Sequence, residues 1–369
     1  MRQSSAPSAM IGRILGYTTE GHERVALAGT SPFPVSGVVI RDRDPLGAVM
    51  RARSSGYRSV VVPEVGAWTS EVATRQSPTL LEAPDALVQV SLDSWAASLL
   101  NAGANAVLTP SKFIELGDWP TLRAVLCAGE GTELPEVITL VATDAAMLDL
   151  GHLPTFIENI ATHRPVAVAF ASKSPPFERA GRMAALRYLL SKRPGCFLLA
   201  TEPVVATDAY AHGTAGAAIG ITGGTRKPHR PGDRGGGGNS KGFLPGLFLR
   251  DLWEHRSPEV YADWFANSPS PTCMACGGGA LDVFDNTNHD KDVVLRHNVH
   301  AWLEVLDELR VRTRADQQLW LADERSSALA AHLTLRPATG AIDADRVLRQ
   351  LVELDDPQGR RTTPRGALR

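Results

Sequence analysis

VITLVA at residues 137–142 and VAVAFA at 166–171 are continuous apolar runs, with a helix-like stretch, 154–162, between them. A strand with one wet face alternates apolar and polar residues; a strand that does not alternate is covered on both faces. Parallel strands are covered in this way, because the crossover that joins them lays a helix against the sheet. The segment from 137 to 171 therefore reads as one βαβ unit.

Outward from this pair the same signal recurs. SVVVP at 59–63, LVQVSL at 87–92 and AVLT at 106–109 precede it, and CFLLA at 196–200 and AAIGIT at 217–222 follow it. Helix-like stretches stand at 94–102, 119–128 and 177–191. The starts are about 20 to 31 residues apart, the length of a βα unit. Seven strands are thus expected before Gly223, with an eighth at GFLPGLF (242–248) or near Leu281. Seven or eight regular units predict an α/β fold of the closed (β/α)8 or TIM barrel type; a doubly wound open sheet uses the same units and is the alternative. The expected organisation is a leader at 1–10, the barrel over 11–265, a metal clip with C-terminal helices over 266–350, and a polar tail at 351–369.

Composition narrows the setting. The chain has 369 residues, 43% hydrophobic and 21% charged, with a formal net charge of −2, so any contact with nucleic acid needs a local basic patch. Four cysteines (127, 196, 273 and 276) are too few for a disulfide framework. No apolar stretch is long enough to span a bilayer, and the N-terminus lacks a basic segment followed by an apolar one. A cytoplasmic protein without a membrane partner is expected.

Three constellations carry chemistry. Cys273 and Cys276 form a Cys-x-x-Cys pair, and His297 and His300 follow three apart on a predicted helix. Thiolate and imidazole suit Zn²⁺, and four protein ligands would make a closed structural site. Cys273, Cys276 and His297 are the first candidates; the fourth is His300, His289 or Asp282. Second, Gly220–Arg226 (GITGGTR) is a predicted strand running into a glycine-rich turn, continued by a basic loop over 226–242. Late strand ends of barrels often hold phosphate on backbone N–H groups, so Gly223, Gly224, Arg226 and His229 are candidate phosphate or substrate contacts. The third group is the carboxylates at predicted strand ends, Glu64, Asp93, Asp144 and Glu202, where barrels place their chemistry. Asp93 and Glu202 are the leading catalytic candidates, as nucleophile or general acid–base. Trp68, Trp95 and Trp119 are candidates for stacking on a base.

A βα-rich chain that ends in Cys-x-x-Cys and then a helix carrying His297-Asn298 resembles the tRNA-guanine transglycosylase superfamily. The resemblance implies a barrel with a zinc clip and base exchange at an N-glycosidic bond. It also implies tRNA or DNA and a nucleobase or nucleotide as ligands, and pairing of subunits, homodimer or heterodimer, through the zinc region. Thr225-Arg226 resembles the family's Thr-Arg turn. The family's nucleophilic Asp falls at Gly220 here, and a further clip cysteine falls at Pro271. The expected function is a divergent transglycosylase-like enzyme. The alternatives are a non-catalytic nucleic-acid-binding or scaffold subunit, and a barrel enzyme for a small phosphorylated metabolite.

Overall fold

The computed structural model describes residues 7–81, 90–233, 245–273, 279–280, 284, 290–338, 342–356 and 358. Eight parallel strands form one sheet: β1 (Arg13–Thr19), β2 (Gly37–Arg41), β3 (Val60–Glu64), β4 (Val107–Leu108), β5 (Val137–Asp144), β6 (Val166–Ala171), β7 (Phe197–Thr201) and β8 (Gly216–Gly220). Their order is β3-β2-β1-β8-β7-β6-β5-β4, so the first and last strands pair and the sheet curls into a nearly closed barrel.

The two outer edges, β3 and β4, meet through a side chain. The Asn105 N–H donates to the Val61 carbonyl at 2.9 Å, and the Asn105 Oδ1 accepts the Val61 N–H at 2.9 Å. Arg53 braces the junction, donating to Asn105 Oδ1 at 2.7 Å and to the Gly103 carbonyl. One amide side chain thus replaces a missing strand residue and satisfies backbone groups that an open edge would leave bare.

The double burial read from the sequence resolves into two cores. Ile138, Leu140 and Ala142 of β5 and Ala167, Ala169 and Ala171 of β6 point into the barrel with Leu15, Tyr17 and Phe197. Val137, Val141, Val166, Val168 and Phe170 point outward, beneath the helices. The outer helices begin with α1 (Glu23–Thr30), α2 (Pro45–Ser54), α3 (Leu92–Asn101) and α4 (Trp119–Glu130). They continue with α5 (Leu153–Asn159), α6 (Arg182–Lys192), α7 (Pro203–Ala211) and the one-turn α8 (Gly223–Arg226).

Four strand assignments differ from the sequence reading. RILGYTT and GVVIR are strands β1 and β2, unrecognised because Gly16 and the polar ends interrupt their apolar runs. The run at 87–92 does not end as a strand: Ser91 is the N-cap of α3, its hydroxyl accepting the Ser94 N–H at 3.1 Å, and 87–89 lie outside the described residues. The eighth strand is β8 itself. The segment expected to supply it gives β9 (Leu247–Leu249), which pairs antiparallel with β10 (Glu254–Arg256) away from the barrel sheet.

Beyond the barrel lie α9 (Pro258–Trp264), the β11 (Thr272–Cys273) and β12 (Gly279–Ala280) pair, α10 (Lys291–Arg310), α11 (Arg314–Thr334) and α12 (Arg346–Asp355). A buried ion network ties these helices to the barrel. Asp208 of α7 accepts two hydrogen bonds from Arg187 of α6 and pairs with Arg325 of α11 at 2.9 Å. Both arginines also pair with Asp355 of α12. No described helix is long and apolar enough to cross a membrane.

Burial by itself would raise the Asp208 pKa, but Arg325, Arg187 and His212 outweigh it and hold the carboxyl at about 2, against an ordinary 3.8. A depressed carboxyl stabilises the fold above its unfolded value and loses that contribution as pH falls through its folded value. The difference is on the order of 2 kcal/mol, lost between about pH 4 and pH 2. Urea unfolding of Asp208→Asn is expected to show this acid-side slope removed. At pH 7 the variant is expected to lose about 3 kcal/mol, because the two buried arginines are left to share the single carboxylate of Asp355.

Candidate functional site

Chemistry in a parallel barrel belongs to the C-terminal ends of the strands. Four elements meet there at the β7–β8 rim. Glu202 follows β7 directly, as the residue before Pro203 opens α7. Arg226 and Lys227 close α8 after β8. His255 lies on β10, and Asp345 caps α12 by accepting the Val347 and Leu348 N–H groups. All five border a cavity of about 410 Å³, together with Glu178.

The electrostatics of this cavity are unusual. Glu202 is buried, 8% exposed, and its Oε1 lies 3.2 Å from the Lys227 Nζ. Lys227 also pairs with Glu178 at 3.2 Å. Burial raises the Glu202 pKa; Lys227 opposes this only in part and Asp345 adds to it, so the carboxyl is pushed up to about 7. The Lys227 ammonium is raised, since Glu202, Asp345 and Glu178 outweigh its own burial. Arg226 is buried, and desolvation brings its guanidinium down to about 10 against the pull of Glu202. It donates to the Ile221 carbonyl at 3.1 Å, and no described carboxylate forms an ion pair with it. Burial holds His255 well below its ordinary value, and Arg226, Lys227 and His297 push in the same direction.

Backbone strain collects at the same place. Among the described residues, two other than glycine have positive φ, Ala200 at 53° and Trp253 at 53°. Ala200 stands two residues before Glu202, where β7 slips register against β8, and Trp253 borders the cavity. Conformations of this kind cost about 1–3 kcal/mol and cluster at functional sites. Three buried polar atoms nearby, Thr201 Oγ1, Trp253 Nε1 and Arg256 Nε, lack a hydrogen-bond partner among the described residues.

Of the sequence candidates, Glu202, Gly223 and Arg226 border this one cavity. Gly224 is exposed beside them, and His229 lies three residues beyond Arg226 without bordering it. Asp93 is elsewhere. It sits in the first turn of α3 and accepts from Thr132, in the turn that feeds the start of β5, far in the fold from the catalytic ends of the strands. Asp93 was expected at a strand end because LVQVSL resembles a strand, and Asp93 and Glu202 do not converge. Glu64 is buried and structural. It accepts from the Tyr17 hydroxyl at 2.7 Å and the Gly66 N–H at 2.5 Å, fixing the turn that drops Trp68 onto the inner core. Trp95 and Trp119 pack on the outer core. Asp144 pairs with Arg230 at 3.2 Å and so ties the basic loop to β5.

The expected metal ligands divide. Cys276, Asp282 and His289 lie outside the described residues, as do the Cys273 side chain and most of the basic loop. His297 and Asn298 are buried and hold β9. The His297 Nε2 meets the Phe248 carbonyl at 2.8 Å, while Asn298 accepts the Phe248 N–H and donates to the Gly246 carbonyl. His300 packs its ring against Phe33. Among the described residues no group of three or more His, Cys, Asp or Glu is arranged to hold a metal. The expected cationic rim is also turned inward: Arg226 is buried, and Lys227 and Arg230 are engaged by carboxylates.

No family model and no curated protein matches the chain. A solved structure of a dihydrodipicolinate synthase family protein from Coccidioides immitis aligns over 96% of this chain and 97% of its own, at 12% identity and a TM-score of 0.35. A likeness that weak carries no argument about chemistry. The transglycosylase resemblance is not upheld, since no model of that family matches the chain. The site gives a physical reason as well. At Gly220, where that family's nucleophile would stand, a Cβ would overlap the backbone of Thr225 and Arg226. Position 220 accommodates no side chain.

Gly220→Ala is therefore expected to lose about 1–3 kcal/mol in urea unfolding, as overpacked sites do. Gly223→Ala, where a Cβ meets nothing within 4 Å, is the control and is expected to change stability little. Equal stability of the two variants would contradict the close approach at 220.

Proposed function

We propose that this barrel is an enzyme for a small anionic metabolite, phosphorylated or carboxylated, bound in the cavity at the β7–β8 rim. Glu202 is the group that takes and returns a proton, and Arg226 holds the anion. The reading is carried by one observation: a buried carboxyl that titrates near neutrality shares a cavity with a buried guanidinium lacking a described carboxylate partner. General acid–base groups work best with a pKa near the working pH, and burial is the usual means of raising a glutamate to that range. A cavity of about 410 Å³ suits a small molecule.

Thermal unfolding in the presence of sugar phosphates and small dicarboxylates tests this reading. A ligand at 100 times its Kd is expected to stabilise the fold by about 2.7 kcal/mol. Arg226→Ala is expected to abolish the stabilisation, and Glu202→Gln to leave most of it. Absence of any stabilising compound, or equal stabilisation of Arg226→Ala, overturns the proposal.

We also propose zinc bound by Cys273 and Cys276 with His297 and His300. The support is the His297 contact, because a metal-bound imidazole commonly gives its second ring N–H to a backbone carbonyl. Elemental analysis of protein purified without chelator is expected to find one zinc per chain. Less than about half an equivalent rejects the clip.

A further inference from the structure

His255 is absent from the sequence candidates, yet it is among the most firmly placed side chains of the cavity. Its residue pairs with Phe248 across the β9–β10 ladder, and the two rings stack at 4.9 Å. β9 is itself gripped by His297 and Asn298, and Gly246 approaches so closely that a Cβ would lie 3.2 Å from the His255 Cβ. No hydrogen bond to the His255 ring comes from a described residue, and His255 borders the cavity. Burial and the two cations that face it, Arg226 and Lys227, favour the uncharged ring.

We propose that Glu202 and His255 act together as base and oxyanion donor in the enolisation of a small metabolite that carries a carbonyl, an adjacent C–H and an anionic group. This rests on the preceding reading of the cavity. The ionised Glu202 takes the proton from carbon; the C–H electron pair becomes a C=C bond, and the carbonyl π pair moves onto oxygen. The His255 N–H donates to that oxygen and keeps its proton, and the positive field of Lys227 favours the developing charge. Return of the proton to the same carbon regenerates the substrate with solvent exchange. Where that carbon also bears a hydroxyl, Glu202 can instead return the proton to the former carbonyl carbon; the hydroxyl proton then passes to the former carbonyl oxygen, and the C=O re-forms at the first carbon. Atoms and electrons balance with no external oxidant or co-reactant. The reaction class is aldose–ketose isomerisation.

A neutral imidazole suits this task. An imidazolium would hand its proton to the enolate and trap it, whereas the neutral N–H stabilises the oxygen without transferring its proton. Two titratable groups displaced in opposite directions within one cavity are the pattern that separates proton-transferring from hydrogen-bonding roles.

The experiment is solvent deuterium exchange. Aldose and ketose phosphates and 2-oxo and 2-hydroxy carboxylates are incubated with the full chain in D2O, and loss of the carbon-bound proton is followed by NMR. At least one compound that raises the Tm is expected to exchange. Glu202→Gln is expected to abolish exchange while binding persists. His255→Ala is expected to lower kcat about 100-fold or more with KM within threefold, as removal of an oxyanion donor does. His255→Gln keeps a neutral N–H and is expected to recover part of that loss; its Tm without ligand shows whether the wall still folds. Compounds that raise the Tm but never exchange overturn this inference and leave the binding site standing. Exchange at the wild-type rate in His255→Ala removes His255 from the mechanism. No compound that raises the Tm overturns both.

Discussion

The structure depends on closing its sheet, and closure depends on Asn105. A parallel sheet that ends at β3 and β4 would expose backbone donors and acceptors along two edges. β4 contributes only two residues to the ladder, too few to pair with both neighbours by backbone alone. The Asn105 side chain supplies the missing acceptor for Val61, and Arg53 fixes that side chain from outside with contacts to three further carbonyls, those of Tyr57, Ser59 and Gly103. With the ring closed, all eight strands deliver their C-terminal residues to one face, where the candidate cavity lies.

That face is uneven. On the β3–β4 side, Glu64 spends both its oxygens on Tyr17 and Gly66, and Trp68 packs on Leu108 and Phe113 of the inner core. On the β7–β8 side, Glu202 has a cationic partner in Lys227 and faces a cavity. The two glutamates occupy equivalent strand ends, yet one is consumed by structure and the other is left to titrate. Burial raises both pKa values, and for Glu64 the hydrogen bonds from Tyr17 and Gly66 pull the other way. Equivalent positions in a barrel thus acquire different roles from what the following loop does.

The sequence carried the repeating βα rhythm because doubly covered strands leave continuous apolar runs, and β5 to β8 were legible for that reason. β1 and β2 were not, since Gly16 and Gly37 interrupt the pattern; at Gly37 a Cβ would overlap the β3 backbone at Val60, so the sheet itself demands the glycine. Glu202 and Arg226 were legible as polar residues just after strands. Asp93 misled because a helix N-terminus preceded by SL and VQV resembles a strand end. His255 and Asp345 carried no signal at all: they reach the site through β10 and α12, elements outside the barrel repeat, and only tertiary packing brings them there. The His297-Asn298 pair was read as part of a metal clip. Its described contacts, however, are to the β9 backbone.

The C-terminal helices make the site what it is. A bare β7–β8 rim would leave Glu202 open to water, where a carboxyl titrates near its ordinary value of 4.5. α12 brings Asp345 to the cavity, and β10 with Trp253 forms its outer wall, at the expense of a positive φ in Trp253 and two unpartnered donors. Such strain persists only where surrounding packing overrides it. Here the override is the Asp208–Arg325–Asp355–Arg187 network, which locks α11 and α12 onto α6 and α7. The ion network has no contact with the cavity residues of β10, yet it holds α12, and so Asp345, in place beside Glu202. The helical layer therefore adds, through Asp345, to a proton affinity of Glu202 that burial raises first.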